Sequence, residues 1–287
     1  MDKFFIIANR QKDKELKTAR KVEAYLNSKG KSCILREETS EQKARSNHYT
    51  DVEKIPKDVE CIIVIGGDGT LLQAARDVVN RQIPLLGINM GTLGYLAEID
   101  RSSIDGALNH LMLDEYTIEK RMMLNGKVYH KEELIAEDVA LNDIVIGRDG
   151  PLHVTRFHNY VNGEFLNSYT ADGIIIATAT GSTGYSLSAG GPIVSPTASM
   201  LVLTPICPHT LNSRSIVFSG EDHIRIEIGK GRRGDTDEAC ATFDGDAIFP
   251  LKTGDYVEIK KSREVTRILK INQVSFLEVL RNKLSRN

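Results

Sequence analysis

The run Gly66-Gly67-Asp68-Gly69-Thr70 places a carboxylate in a turn made almost wholly of glycine. It follows the apolar stretch Cys61–Ile65 and precedes Leu71–Arg76. That order predicts a buried strand, a glycine turn and the start of a helix. Such a corner offers unpaired backbone N–H groups backed by the helix dipole, a surface suited to phosphate oxygens. Gly66, Gly67, Gly69 and Thr70 are therefore the candidate phosphate-binding residues, and the glycines let a ligand approach the backbone closely. A carboxylate is costly beside phosphates unless it has a role. Asp68 would either hold a cation or take the proton of an attacking hydroxyl. The chemistry indicated is phosphoryl transfer. A strand-to-helix turn capped by Asp68 is the alternative without chemistry. The Walker pattern is absent, and the dinucleotide fingerprint fails because its third glycine position, counted from Gly67, is Leu72.

Further candidates lie downstream. Asn142-Asp143 offers an amide and a carboxylate that suit ribose hydroxyls, or else forms an Asx turn between strands. Asp172, within Thr170–Gly173, caps a turn or receives a ligand amine or amide. The stretch Thr180–Pro192 packs glycines and small hydroxyls around Tyr185, which offers an apolar face to a ring. Gly184-Tyr185-Ser186-Leu187-Ser188 is not a hydrolase elbow, because the second glycine is missing. A flexible Gly/Ser linker is the alternative, and the apolar strand before it and the Gly-Gly-Pro turn after it argue against that. The seven histidines show no metal-ligand spacing, so no metal of the protein's own is expected. Magnesium would arrive with a nucleoside triphosphate.

Strands and helices must position these residues. Lys3–Ala8, Ser32–Arg36, Cys61–Ile65 and Ile83–Ile88 read as strands, alternating with helices over Asp13–Ser28, Leu71–Asn80 and Ser102–Leu113. Glu37–Asp58 reads as a polar loop. The alternation predicts a parallel sheet with helices on its faces and ligands beyond the carboxyl ends of its strands. Both Gly66–Thr70 and Asn89–Gly94 fall at that edge. Near Ile118 the pattern changes to successive strands. Asn125-Gly126 and Asn162-Gly163 read as hairpin turns, the latter between Phe157–Val161 and Glu164–Ser168. Ile224–Ile228, Ala239–Phe243 and Tyr256–Lys260 continue the series. The expected division is a parallel α/β domain over 1–118, rejoined by a helix within 268–287, and a β-rich domain over 119–267. In that helix Leu277, Leu280 and Leu284 share one side.

Composition agrees with a globular protein: 287 residues, 41% hydrophobic and 26% charged. A net charge of −2 gives no polyanion-binding signature, so nucleic acid is not an expected partner. No apolar run is long enough to span a bilayer. Cys33, Cys61, Cys207 and Cys240 are widely spaced and expected to be reduced thiols of a cytoplasmic protein.

Taken in order, Gly66–Thr70, Leu86–Leu96, Leu141-Asn142-Asp143, Thr170–Gly173 and Thr180–Pro196 closely resemble the NAD kinase family. The resemblance covers nearly the whole chain. It implies phosphorylation of the 2′-hydroxyl of the adenosine ribose of NAD, with ATP or polyphosphate and a divalent cation. Asp68 then matches the catalytic aspartate, acting as general base on that hydroxyl, and Gly69 lies beside the same ligand. Asn142, Asp143, Asp172 and the loop Thr183, Gly184, Tyr185, Ser186, Leu187 and Ser188 match NAD contacts. His153 and Thr170 fall at variable contact positions, and Cys207 and Asp246 are weaker matches. A Rossmann-like α/β first domain, a β-sandwich second domain and homodimers or homotetramers are implied as well. Two departures stand out. The family commonly has Ala at Gly184, and its Asp-Gly-Gln pattern appears as Asp244-Gly245-Asp246, where Asp lacks the amide donor of Gln. A lipid kinase sharing the glycine turn and a non-enzymatic NAD sensor are the alternatives. Neither needs the full set: the lipid kinase leaves Asn142-Asp143 unexplained, and the sensor leaves Asp68 unexplained.

Overall fold

In the computed structural model, residues 1–35, 50, 52–91, 94–97, 99–150, 154–210, 213–231, 236–271 and 274–285 are described. They divide into two units, Met1–Arg121 with Glu264–Asn287 and Met122–Arg263.

The first unit opens with β1 (Lys3–Ala8) and α1 (Lys17–Ser28). Spacing alone starts this helix at Asp13. Instead Lys14–Leu16 makes a separate tight turn in which Glu15 and Leu16 take φ of 58° and 54°. The reason is Asp13, whose buried carboxylate accepts the amides of Thr18 and Ala19 at 2.9 Å each and so begins the helix later. β2 (Ser32–Leu35) follows, and most of the expected polar loop lies outside the described residues. β3 (Cys61–Gly66) is buried throughout. α2 (Asp68–Asp77) begins inside the glycine turn, three residues earlier than its apolar spacing suggests, with extended Gly67 as its cap. β4 (Leu85–Asn89) and α3 (Ile104–Met112) complete the alternation. The strands run parallel in the order β2-β1-β3-β4. Covered on both faces, they read as continuous apolar runs. Phe4, Ile6, Ile63, Ile65, Leu86 and Ile88 meet Val22 and Leu26 of α1 and Leu108 and Leu111 of α3 in one core. Each such side chain contributes about 1.5–3 kcal/mol on burial.

The second unit is built from strands. β5 (Thr117–His130) enters it and runs straight through Asn125-Gly126. The expected turn is therefore wrong. Gly126 lies against Phe243 and Ile144 in the core, and Asn125 pairs across to Val139 with its amide on Glu137 at 2.9 Å. The chain reverses instead at Lys131 and Glu132, both with positive φ, before β6 (Glu133–Ala140). β7 (Asp143–Arg148), β8 (Thr155–Val161) and β9 (Glu164–Ala171) follow. Asn162-Gly163 is the hairpin turn between the last two, with φ of 52° and 84°. Next come β10 (Gly173–Thr178), the single helical turn α4 (Tyr185–Ser188), β11 (Met200–Ile206), β12 (Ile216–Ser219), β13 (Ile224–Ile228), β14 (Glu238–Phe243), β15 (Ala247–Lys252) and β16 (Tyr256–Lys270). One antiparallel sheet has the order β12-β11-β10-β7-β14-β15, and the other runs β16-β13-β8-β9 with β5 and β6 joined to β16. Ile144, Ile146, Ile174 and Ile176 from the first meet Phe157, Ile226 and Val257 from the second in one sandwich core.

β16 extends ten residues past the expected Lys260, and Ile268 pairs in parallel with Leu85 of β4, within the first unit. α5 (Phe276–Leu284) then rejoins that unit, started by Ser275, whose hydroxyl accepts the Glu278 amide at 3.2 Å. The packed stripe is Phe276, Val279, Leu280 and Lys283. The expected Leu277 and Leu284 instead stand 67% and 61% exposed. Among the described residues no helix is long and apolar enough to cross a membrane.

Candidate active site

In the first unit the glycine turn delivers Asp68 to the first position of α2, half-buried. Its carboxylate is held from outside the turn. Oδ2 accepts the Tyr95 amide at 2.8 Å, and Oδ1 accepts those of Leu96 and Ala97 at 3.2 and 3.1 Å. A carboxylate has about four acceptor positions. Three are occupied, two of them on Oδ1, so Oδ2 keeps one for a hydroxyl. The approach of this segment depends on Gly94, where a Cβ would stand 1.9 Å from Oδ1. The Tyr95 ring lies 6.1 Å from Phe276 of α5, with the Lys283 ammonium 4.7 Å above it. Burial and the charge of Asp68 both raise the Tyr95 phenol above its ordinary pKa.

Thr70 is buried and takes the side-chain amide of Asn9 on its hydroxyl at 3.1 Å. Asn9 follows β1 directly, at the carboxyl edge of the parallel sheet. Its side-chain oxygen accepts the amides of Gln11 and Lys12. The bend so formed lays Lys12 over the glycine turn, where a Cβ on Gly67 would stand 2.5 Å from Nζ. Sequence reasoning missed Asn9 and Lys12. The available signal was their position just past the first parallel strand, where ligands of such sheets bind.

In the second unit the candidates cluster around the turn between β6 and β7. Thr178 donates its amide to the Asn142 carbonyl at 2.8 Å and its hydroxyl to the Leu141 carbonyl at 2.7 Å, docking the start of the Thr180–Ser188 segment on that turn. Gly184 comes close to Asn142, and a Cβ there would lie 3.3 Å from Nδ2 and 3.2 Å from the Gly181 carbonyl. Asn142 Oδ1 is buried without a partner. Asp143 is 6% exposed, and burial pushes its carboxyl up to about 7, with the charge of Asp244 adding to the effect. Tyr185, at 48% exposure, presents its ring outward, and Leu187 and Ser188 are exposed beside it. Ser186 points the other way: it is fully buried, with its hydroxyl 3.0 Å from that of Thr204.

Of the remaining candidates, Thr170, Asp172 and Cys207 gather at the Gly147–Arg148 end of β7, opposite the Asp143 end, where Asp246 lies. Asp172 pairs with Arg148, Nε to Oδ1 at 2.9 Å, and its amide donates to the Ile206 carbonyl. Thr170 accepts the His209 amide, and Cys207 is exposed with φ of 45°. Asp246 sits in the turn after β14, its amide on the Phe243 carbonyl at 3.1 Å. His153 lies outside the described residues. Among the described residues no group of three His, Cys, Asp or Glu side chains stands ready to hold a metal ion.

A parallel α/β unit with a braced carboxylate at a glycine turn, joined to a β-sandwich unit, defines a phosphotransferase with an alcohol acceptor. Known proteins agree. The family model described as the ATP-NAD kinase N-terminal domain matches residues 4–116, and that of the ATP-NAD kinase C-terminal domain matches 141–271. An NAD kinase of Lachnospira eligens is 47% identical over 99% of this chain and 100% of its own length. One of Agathobacter rectalis is 48% identical over 99% of each. The crystal structure of yeast NADH kinase complexed with NADH superposes with a TM-score of 0.85 at 26% identity, covering 100% of this chain and 88% of that one. The chain belongs to the NAD kinase family.

Proposed function

We propose that the protein transfers the terminal phosphoryl group of ATP to the 2′-hydroxyl of the adenosine ribose of NAD, giving NADP, with Asp68 as general base. The observation that carries the reading is the Asp68 carboxylate, fixed by three amides and left with one acceptor position on Oδ2. A loose phosphoryl-transfer transition state needs alignment and charge compensation more than a strong base. Asp68 orients the hydroxyl and takes its proton as the P–O bond forms. The amides of Gly66–Thr70 and the Lys12 ammonium face the donor phosphates, and magnesium enters as part of the nucleotide substrate. Asn142 and Asp143 hold the ribose hydroxyls, with Tyr185, Leu187 and Ser188 against the rings and Thr170, Asp172 and Cys207 further along the dinucleotide. Asp246 contributes an acceptor. The inward-facing Ser186 hydroxyl supports the loop rather than the substrate. A homo-oligomer and a cytoplasmic location go with this reading. Exposed Leu134, Ile135, Phe165 and Leu166 supply apolar surface for the first, and four free thiols support the second.

Asp68→Asn replaces an acceptor with an amide that faces three donors. It is expected to lower kcat by about a thousandfold while NAD still binds, within the range for loss of a general base. NADP formation from NAD and ATP, with NAD affinity by calorimetry, checks it. A near wild-type rate sinks the assignment. NAD binding without turnover by the unmodified protein marks a sensor instead, and turnover of diacylglycerol in place of NAD marks a lipid kinase.

A further inference from the structure

Asp244 belongs to none of the substrate contacts above. It stands at the tip of the β14–β15 hairpin with φ of 52°, followed by Gly245 at 74°. Its side chain reaches to a turn 101 to 103 residues away in sequence. Its Oδ2 accepts the Leu141 amide at 2.8 Å, and its Oδ1 accepts those of Asn142 and Asp143 at 2.8 and 3.1 Å. The Asp244 amide returns a bond to the Asp143 carbonyl at 3.0 Å. One side chain thus takes three consecutive amides of the segment that carries Asn142 and Asp143. An asparagine at 244 has a single oxygen with two acceptor positions and cannot take all three. The arrangement also sets two carboxylates close together, an unfavourable pairing that a purely structural turn has no need of. The orphaned, buried Oδ1 of Asn142 lies on the same segment and awaits a donor from outside the protein.

We propose that Asp244 is a positioning residue for NAD: it fixes the backbone of Leu141–Asp143 so that the Asn142 and Asp143 side chains meet the ribose together. The inference rests on the reading of Asn142 and Asp143 as NAD contacts. Around Asp143 stand β10 at Ala177, the Gly181–Gly184 turn with its neutral groups, Asn142, and Asp244. Asp244 is the charged group whose field raises the Asp143 carboxyl. Its removal therefore reaches beyond packing.

The test uses the full chain and compares Asp244→Asn with Asp143→Ala. Asp244→Asn is expected to raise KM for NAD about tenfold, leaving kcat and KM for ATP within about twofold. It is also expected to move the acid limb of kcat/KM for NAD to lower pH, because Asp143 loses its like-charged neighbour. An unchanged KM for NAD, an unmoved acid limb, or parallel loss in kcat and both KM values overturns the proposal. Asp143→Ala separates the two levels: if it leaves KM for NAD unchanged, the ribose reading itself fails and the positioning role falls with it. Should Asp244→Asn not fold, Asp244→Glu carries the test. It keeps the charge but adds a methylene, and the proposal requires it to raise KM for NAD with KM for ATP unaffected.

Discussion

Asp143 sets binding against stability within one side chain. Its carboxyl is raised to about 7 in the folded protein from an ordinary 3.8. Stability from such a group is fully present below the unfolded value and is lost as pH rises through the folded one. Asp143→Asn, which mimics the protonated form, is therefore expected to stabilise the protein at about pH 8 by at most about 4 kcal/mol, a gain that shrinks toward about pH 5. Urea midpoints across that range check it, and a pH-independent difference would show that the carboxylate is not the cause. Tyr185→Ala should raise KM for NAD about tenfold with little change in melting temperature, since an exposed ring contributes little to the core. Steady-state kinetics decide it. At this scale Asp68 was legible in the sequence because its signal is local: strand, glycine turn and helix start lie within the sixteen residues Cys61–Arg76. Its three amide donors were not legible as donors, since Tyr95–Ala97 return to it through space. Asp244 was visible only as part of a family pattern. Its link to Asn142 crosses a hundred residues and leaves no periodic trace.

Secondary-structure elements were legible where one apolar stripe met one core. β1 and β13 have the expected bounds, and α5 falls inside the expected segment. α1 was misplaced at its start because a buried capping side chain overrode helical spacing, and Asn125-Gly126 was misread because core packing against Phe243 overrode turn chemistry. The apolar side of α5 was also wrong, with Lys283 taking a place on the packed stripe by lying over the Tyr95 ring. That contact ties α5 to the segment bracing Asp68. Removing the helix by ending the chain at Ile271 is expected to lower kcat at least about tenfold and to change KM for NAD much less, because Asn142 and Asp143, the proposed ribose contacts, lie in the other unit. Loss of NAD affinity with an unchanged kcat would refute that link.

For the molecule as a whole, the thiols report on integrity. Burial raises Cys33 to about 12 and raises Cys61 further, so neither forms a thiolate at neutral pH. Cys240 is half-buried with its pKa also raised by burial, whereas Cys207 is exposed. Iodoacetamide at neutral pH should label Cys207 first in the native protein and all four thiols after denaturation, as read by mass spectrometry. Early labelling of Cys33 or Cys61 would mean the parallel sheet opens in the native state. The change from alternating helices and strands to strands alone was plain in the sequence, since it rests on periodicity over tens of residues. The path of β16 was not, because a strand that serves two cores in turn shows two patterns rather than one. Unit 1 is also interrupted in sequence: Glu264–Asn287 are needed to finish it, and all of Met122–Arg263 comes between. During synthesis on the ribosome, the sandwich emerges whole while the nascent kinase half still waits for its closing strand and helix. Full phosphoryl-transfer activity is then expected late, once translation has passed the helix whose Phe276 and Lys283 lie against Tyr95.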